Sequence, residues 1–294
     1  MSNTLIAISR EPIAQKLSFE LKNEALQFGA NLHTESEQSF NGAYYSVRWV
    51  SNLVLNTSQR ERLRFIAGKY GTDLCFLKPE LNANPIRVLA MDMDSTLINI
   101  ECIDEIADFT GKKSAVAQIT EATMRGEIKD FKESLRRRVA LLEGVSADTL
   151  EAVYRERLCP NPGAVELLAG AHERDIFTLL VSGGFTFFTE KLRHQFGLKR
   201  TQANTLEIID NKLTGKVLGD IVDGFAKAAY LDEVCGNLGC TKVNSMTMGD
   251  GANDLVMMNE SGISVAYRAK PVVKEKADAA FDYVGLDAAL LLIA

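Results

Sequence analysis

A chain of 294 residues with 46% hydrophobic and 24% charged residues has the profile of a globular protein, long enough for one large domain or two ordinary ones. Its net charge of −6 excludes the broad basic footprint of a nucleic-acid or anionic-membrane binder. No apolar stretch approaches bilayer length, and the opening MSNTLIAISREP does not read as a signal peptide, so a cytoplasmic protein with no nucleic-acid or membrane partner is expected.

The first eighty-odd residues read as a small unit of their own. Strand-like runs fall at LIAIS (5–9), ANLHTESEQ (30–38), YYSVRWV (44–50) and DLCFL (73–77). Helical periodicity fills AQKLSFELKNEALQFG between the first two and SQRERLRFIAGKYG between the last two, where Gly71 follows the final turn. The order β-α-β-β-α-β is ferredoxin-like. LNANPI (81–86) then has the composition of a linker.

From Arg87 the pattern changes. RVLAM, IFTLLV (176–181), SMTMG (245–249), ISVAY (263–267) and FDYVG (281–285) are short apolar or β-rich runs separated by helical stretches. That is the pattern of a doubly wound, mostly parallel sheet covered on both faces. Two segments interrupt it: about 100–160 is helical throughout, and LEIIDNKLTGKV (206–217) alternates around Asp210-Asn211 as a tight hairpin. The domains expected are 1–84 and 85–294, the latter carrying an inserted helical cap at about 100–160.

Five scattered cysteines, at 75, 102, 159, 235 and 240, argue against a disulfide framework. With only three histidines a zinc site is not expected, and the thiols read as buried or idle. General acid–base work must fall to carboxylates or lysine.

Three strand ends carry chemically loaded residues: Asp92-Met93-Asp94-Ser95-Thr96, then Ser182-Gly183-Gly184, then Asp250-Gly251-Ala252-Asn253-Asp254. Singly, each also reads as a turn or a helix cap. Together, at the carboxyl ends where open α/β sheets collect ligands, they form one site. Hard oxygen donors from Asp92 and Asp250 suit Mg²⁺, which would offset their repulsion. Ser182 and the Gly183 amide, just before a helix, make an anion site. Lys227 in DGFAKAAYL is the candidate cation, although alone it reads as a solvated helix lysine.

This constellation, D-x-D-S-T, S-G-G, a downstream lysine and G-D-G-x-N-D, resembles the haloacid-dehalogenase-like phosphatases. The wording MDMDSTLINIECIDEIA with MRGEIKDFKESLRRRVALL is similar to that of the members acting on phosphoserine, over roughly residues 87–285. The resemblance implies Mg²⁺-dependent hydrolysis of O-phospho-L-serine in serine biosynthesis. Asp92 would be the nucleophile that forms an aspartyl phosphate, and Asp94 the general acid and base. Mg²⁺ would sit among Asp92, the Asp94 carbonyl and Asp250, while Ser182, Gly183 and Lys227 hold the phosphoryl group and Asn253 orients it. Asp254 and Thr96 would support the loops. Glu101 would pair with the substrate ammonium and Arg138 with its carboxylate. Phe131, seven residues before Arg138 on one helix, would exclude solvent.

The front unit resembles an ACT-type domain, but Ser9-Arg10-Glu11-Pro12-Ile13 stands where that family commonly has Asp-Arg-Pro-Gly. Regulator binding, a structural role and a homodimer through this unit all stay open. Two rival readings remain: transfer of the phosphoryl group to another hydroxyl such as that of homoserine, and a non-catalytic amino acid sensor.

Overall fold

The computed structural model describes residues 3–40, 42–78, 85–124, 127–128 and 130–293. The linker expected at 81–86 therefore falls mostly outside the described residues. Chain order begins with β1 (Asn3–Ser9), α1 (Gln15–Gln27), β2 (Leu32–Phe40), β3 (Tyr44–Ser51), α2 (Thr57–Gly68) and β4 (Asp73–Leu77). The four strands form an antiparallel sheet in the order β2-β3-β1-β4. Asn56 starts α2 with a capping box closed by Gln59.

Both faces of β1, an internal strand of this small sheet, are buried, which explains why LIAIS is continuously apolar rather than alternating. Leu5 and Ala7 pack with Trp49, Leu74 and Phe76 under α1 and α2. Ile6 and Ile8, with Tyr44, Cys75 and Leu77, point the other way into the main core.

The rest of the described chain runs β5 (Val88–Met91), the helices α3 (Cys102–Phe109), α4 (Lys113–Met124), α5 (Phe131–Ala140), α6 (Asp148–Glu156) and α7 (Ala164–Glu173), then β6 (Phe177–Phe185). It continues with α8 (Thr186–Phe196), β7 (Arg200–Ile209), β8 (Lys212–Leu218), α9 (Gly224–Asn237), β9 (Ser245–Gly249), α10 (Leu255–Glu260), β10 (Ile263–Tyr267), α11 (Pro271–Lys276) and β11 (Ala279–Phe281). A buried 3₁₀ turn, Leu286–Leu292, closes it. The second sheet has the order β11-β10-β9-β5-β6-β7-β8, parallel except for the β7–β8 hairpin. One face packs on α9 and α10 through Val88, Ala90, Leu179 and Val181. The other packs on α7 and the last turn through Leu89, Met91, Leu180 and Met248. The doubly wound, mostly parallel sheet expected from the sequence is what the chain forms, and the small antiparallel sheet precedes it.

The order places β5 at the centre with β6 on one side and β9 on the other. The chain leaves β5 in both directions, which opens a crevice at the carboxyl ends of these three strands.

Besides β6, described with the site below, two elements differ from the sequence expectation. The last strand ends at Phe281, not at 285, because the Asp73 carboxylate of the small sheet accepts the N–H groups of Asp282, Tyr283 and Val284 at 2.9, 3.0 and 3.0 Å. An acceptor from elsewhere in the chain has replaced the sheet ladder. The hairpin at Asp210-Asn211 has both turn residues at positive φ, 49° and 59°, as the sequence predicts. Its first strand, however, begins at Arg200 and pairs with β6 before it enters the hairpin.

The two sheets are joined by specific polar contacts as well as by the core. The Arg64 guanidinium donates to the carbonyls of Lys274, Ala277 and Asp278 at 2.6, 2.8 and 3.0 Å. The Tyr44 hydroxyl donates to Asp287 Oδ1 at 2.6 Å and accepts from Gly285 N–H at 3.1 Å. Among the described residues no helix is long and apolar enough to cross a membrane.

Candidate active site

The opening strand of the second sheet delivers Asp92 one residue beyond Met91, its N–H still bonded to the Met248 carbonyl of β9 at 3.0 Å. The chain then turns through a wide loop rather than a helix cap. Leu97 N–H reaches the Asp92 carbonyl at 3.3 Å and Ile98 N–H the Met93 carbonyl at 3.0 Å. Ser95 sits in the left-handed region at φ 56°, a conformation that costs energy for a residue with a side chain and recurs at functional loops. Asn161 pays part of that cost: its amide donates to the carbonyls of Thr96 and Ile98 at 2.8 and 2.9 Å.

Lys227 is the centre of the charge arrangement. Asp223 caps the start of α9 by accepting from Ala226 N–H at 2.9 Å, and Lys227 follows one turn later, with no exposed surface. Its ammonium lies 2.8 Å from Asp92 Oδ2 and 2.7 Å from Asp254 Oδ1. The bland reading of Lys227 as a solvated lysine is therefore wrong. Burial opposes its charge, but Asp254 and Asp92 hold its pKa above the ordinary lysine value. The other Asp254 oxygen accepts Gly251 N–H at 3.1 Å, so this carboxylate braces both the lysine and the loop.

Carboxylates outnumber cations here. Asp92, Asp250 and Asp254 each bring an oxygen within 4.8 Å of the other two. Burial and the charges of Asp92, Asp254 and Glu101 push Asp250 up to about 8. Asp94 is raised well above the carboxylate range by burial, then by Glu101 and Asp92. Its Oδ1 is buried with no hydrogen-bond partner among the described residues, and the same holds for the Thr96 hydroxyl. An all-oxygen donor set with excess negative charge and an orphaned carboxylate oxygen fits a hard divalent cation. Asp92 and Asp250, at the ends of the adjacent strands β5 and β9, are the side chains that could hold one, while Asp254 braces Lys227 and the Gly251 amide.

Ser182-Gly183-Gly184 lies within the last residues of β6, which runs on to Phe185 before α8 begins rather than ending at Val181 as the apolar run alone predicts. A methyl group added at Gly184 would lie 2.7 Å from Met93 Cε and 2.9 Å from Asp94 Oδ2, and one at Gly183 would lie 2.9 Å from Phe131 Cζ. These two residues are where the sheet, the loop after Asp92 and the helical insertion meet. Ser182 is buried and its hydroxyl accepts Gly184 N–H at 2.8 Å. Asn204 on β7 fixes the backbone by donating to Gly183 O at 2.8 Å and accepting Val222 N–H at 2.9 Å.

The helical insertion covers this crevice. Its two ends are pinned by an Ile98–Pro160 bridge and by Asn99, which bonds Cys159 through main chain and side chain. A third tie comes from the hairpin, where Leu213 exchanges hydrogen bonds with Gly144 and Val145 at 2.8 Å each. A fourth is the ion pair of Lys132 with Asp223 at 3.2 Å. Phe131 and Arg138 share α5, as expected. Burial lowers the Arg138 pKa, while Asp104, Glu101 and Asp94 face it and oppose that shift. Glu101 accepts from Ser95 Oγ at 2.7 Å. Asn253, half-buried, sits in the 3₁₀ turn Ala252–Asp254, its main chain packed against Gly224 at the start of α9.

Every residue singled out from the sequence thus lies around one crevice, but the sequence reading missed three others. Lys270 donates its N–H to the Asp250 carbonyl at 3.0 Å, and its charge acts on both Asp250 and Glu101. It stands just past the end of β10, a fourth strand end that the same rule would have flagged. Asn204 was visible as an unusual residue inside a strand. Asn161, in a Pro-rich turn, carried no local signal.

The haloacid dehalogenase-like hydrolase family model matches residues 89–259. A phosphoserine phosphatase from Polaromonas sp. strain JS666 is 53% identical over 219 residues, which is 73% of this chain and 93% of that protein. The solved structure of a probable phosphoserine phosphatase from Vibrio cholerae aligns over 99% of this chain and 86% of its own, with TM-score 0.79 and 33% identity. A structure described as a phospho-aspartyl intermediate analogue of phosphoserine phosphatase aligns over 71% of this chain and all of its own, with TM-score 0.67 and 36% identity. The chain belongs to the haloacid dehalogenase-like hydrolases, in the group that these phosphoserine phosphatases represent.

Proposed function

We propose that this enzyme hydrolyses O-phospho-L-serine to L-serine and phosphate through an aspartyl phosphate on Asp92, with Mg²⁺ as cofactor. The observation that carries the reading is the buried Asp92–Lys227–Asp254 array beside Asp94, roofed by a helix that carries Phe131 and Arg138. A relative solved as a phospho-aspartyl analogue supports the intermediate.

Asp92 has one oxygen bonded to Met93 N–H at 2.7 Å and the other to Lys227, so the nucleophile is oriented before substrate arrives. An Asp92 oxygen attacks phosphorus, and the bond from phosphorus to the serine oxygen breaks. Asp94, whose raised pKa lets it hold a proton, gives that proton to the departing oxygen. It then takes a proton from the water that attacks phosphorus and frees Asp92. Ser182, the Gly183 amide and Lys227 surround the negative oxygens, whose charge must be stabilised in a loose transition state. Asp92, Asp250 and the Asp94 carbonyl would hold Mg²⁺, which when bound would supply positive charge to offset the carboxylates and the phosphate. Glu101 receives the substrate ammonium, Arg138 its carboxylate, and Phe131 closes the crevice against water. Thr96 and Asp254 support the loops, and Asn253 orients the phosphate side. The burial of the small sheet's outer face against the catalytic part supports a structural role for the front unit.

The test is phosphate release from O-phospho-L-serine beside phosphothreonine, a sugar phosphate and an aryl phosphate, with Mg²⁺ and with EDTA. Metal-dependent preference for phosphoserine is the expected result. Metal-dependent turnover of another ester would discard Glu101 and Arg138 as amino acid readers, and no turnover at all by the folded protein would overturn the reaction.

A further inference from the structure

The helix that presents Lys227 ends in a turn that brings two cysteines together. Gly239, left-handed at φ 64°, folds the chain back so that its N–H bonds Gly236 O at 3.0 Å and Cys240 N–H bonds Cys235 O at 2.9 Å. This pair of bonds is a Schellman closure, in which the third residue from the helix end and the second residue past it usually meet through apolar side chains. Here those two positions are Cys235 and Cys240. Both pack in the same apolar cluster as Leu231 and Val234, brought together by the turn, and the Cys240 sulfur acts on the ionisation of Cys235. Cys235 is buried and Cys240 half-exposed, so a reagent from solvent meets Cys240 first. The remaining cysteines stand apart in role: Cys75 and Cys102 are buried, and Cys159 is exposed.

We propose that Cys235 and Cys240 form a thiol–disulfide exchange site that takes a small-molecule disulfide and closes into an intrachain disulfide across the helix end. The Cys240 thiolate attacks one sulfur of the small disulfide; that S–S bond breaks and the first small thiolate leaves, taking up the proton lost from Cys240. Cys235 then attacks the Cys240 sulfur, the mixed disulfide breaks, and the Cys235 proton goes to the second leaving thiolate. Two protein thiols are oxidised and one small disulfide is reduced to two thiols. The order follows from the surroundings. Burial and the Cys240 sulfur hold the proton on Cys235, and once Cys240 is in a mixed disulfide its charge no longer opposes ionisation of its neighbour. Lys242, paired with Glu260 at 2.8 Å and Asp232 at 3.5 Å, adds a cation whose charge favours that ionisation. The turn already brings the two residues together through the Cys240 N–H bond to Cys235 O, so closure leaves the other end of α9, and Lys227 about two turns away, in place.

Trypsin gives one peptide, residues 228–242, that contains both cysteines and no other. The full-length protein is incubated with oxidised glutathione, alkylated under denaturing conditions and mapped by mass. The expected product is that peptide lacking two hydrogens and unalkylated, restored by dithiothreitol, with phosphatase turnover unchanged in the oxidised protein. Cys235→Ser should stall with glutathione on Cys240, and Cys240→Ser should leave Cys235 alkylated. Two alkyl groups on the peptide while exposed Cys159 has taken up glutathione, or glutathione persisting on Cys240 of the unaltered chain, would overturn the proposal.

Discussion

Replacing Lys227 by methionine and, separately, Asp92 by asparagine should abolish turnover in both cases yet move stability very differently. Lys227 has no exposed surface and is the sole cation paired at hydrogen-bond distance with Asp92 and Asp254 among the described residues. Methionine fills its volume but leaves two buried carboxylates facing each other, with Asp250 also within 4.8 Å. Breaking a buried ion pair from one side costs about 3–5 kcal/mol, and proton uptake by the stranded carboxylates sets the lower end of that range. Asp92→Asn acts in the opposite sense. Lys227 keeps Asp254 at 2.7 Å, and the crowd of carboxylates that raises Asp250 and Asp94 loses one charge. The new amide's carbonyl oxygen can keep Lys227 while its NH2 replaces the acceptor of Met93 N–H, so the cost should stay at about 1–2 kcal/mol, below that of Lys227→Met. Loss of the nucleophile should lower kcat by at least about 10⁴. The assay is urea unfolding at pH 7 in EDTA, read as midpoint shifts at constant slope. If Asp92→Asn unfolds as early as Lys227→Met, or if Lys227→Met keeps the unaltered midpoint, the charge-balance reasoning is wrong.

Arg138→Ala should raise KM for phosphoserine about 10-fold to 100-fold, the loss of a charge-assisted carboxylate contact, while an aryl phosphate without a carboxylate is affected far less; equal losses on both would remove Arg138 as the carboxylate reader. Arg64→Ala strands carbonyls of Lys274, Ala277 and Asp278 at the junction of the two sheets and should cost about 3 kcal/mol in urea unfolding, with a shift under 1 kcal/mol refuting that assignment. Burial, then the bond to Asp287, pushes the Tyr44 phenol up to about 12. The folded chain therefore keeps a proton that the unfolded chain releases near pH 10, so the Tyr44 contribution is full below pH 10 and is lost as pH climbs toward 12. The stability gap between the unaltered protein and Tyr44→Phe should shrink over that interval; a gap independent of pH would contradict it.

Local sequence sufficed where a residue's conformation or periodicity was enough to settle its place. The β-α-β-β-α-β order, the runs of the parallel sheet and the positive-φ turn at Asp210-Asn211 follow from side-chain pattern and turn chemistry, which act over a few residues. The three loaded strand ends were legible for a related reason, since parallel strands all deliver their carboxyl ends to one side. What sequence could not supply was whatever depends on a partner distant in the chain. Residues 282–284 leave the sheet because Asp73, some two hundred residues earlier, captures their N–H groups. Asn161 shapes the loop after Asp92 from the far end of the helical insertion. Lys227 looks like any helix lysine until the fold buries it between Asp92 and Asp254, and only there does removing it from water make its charge indispensable.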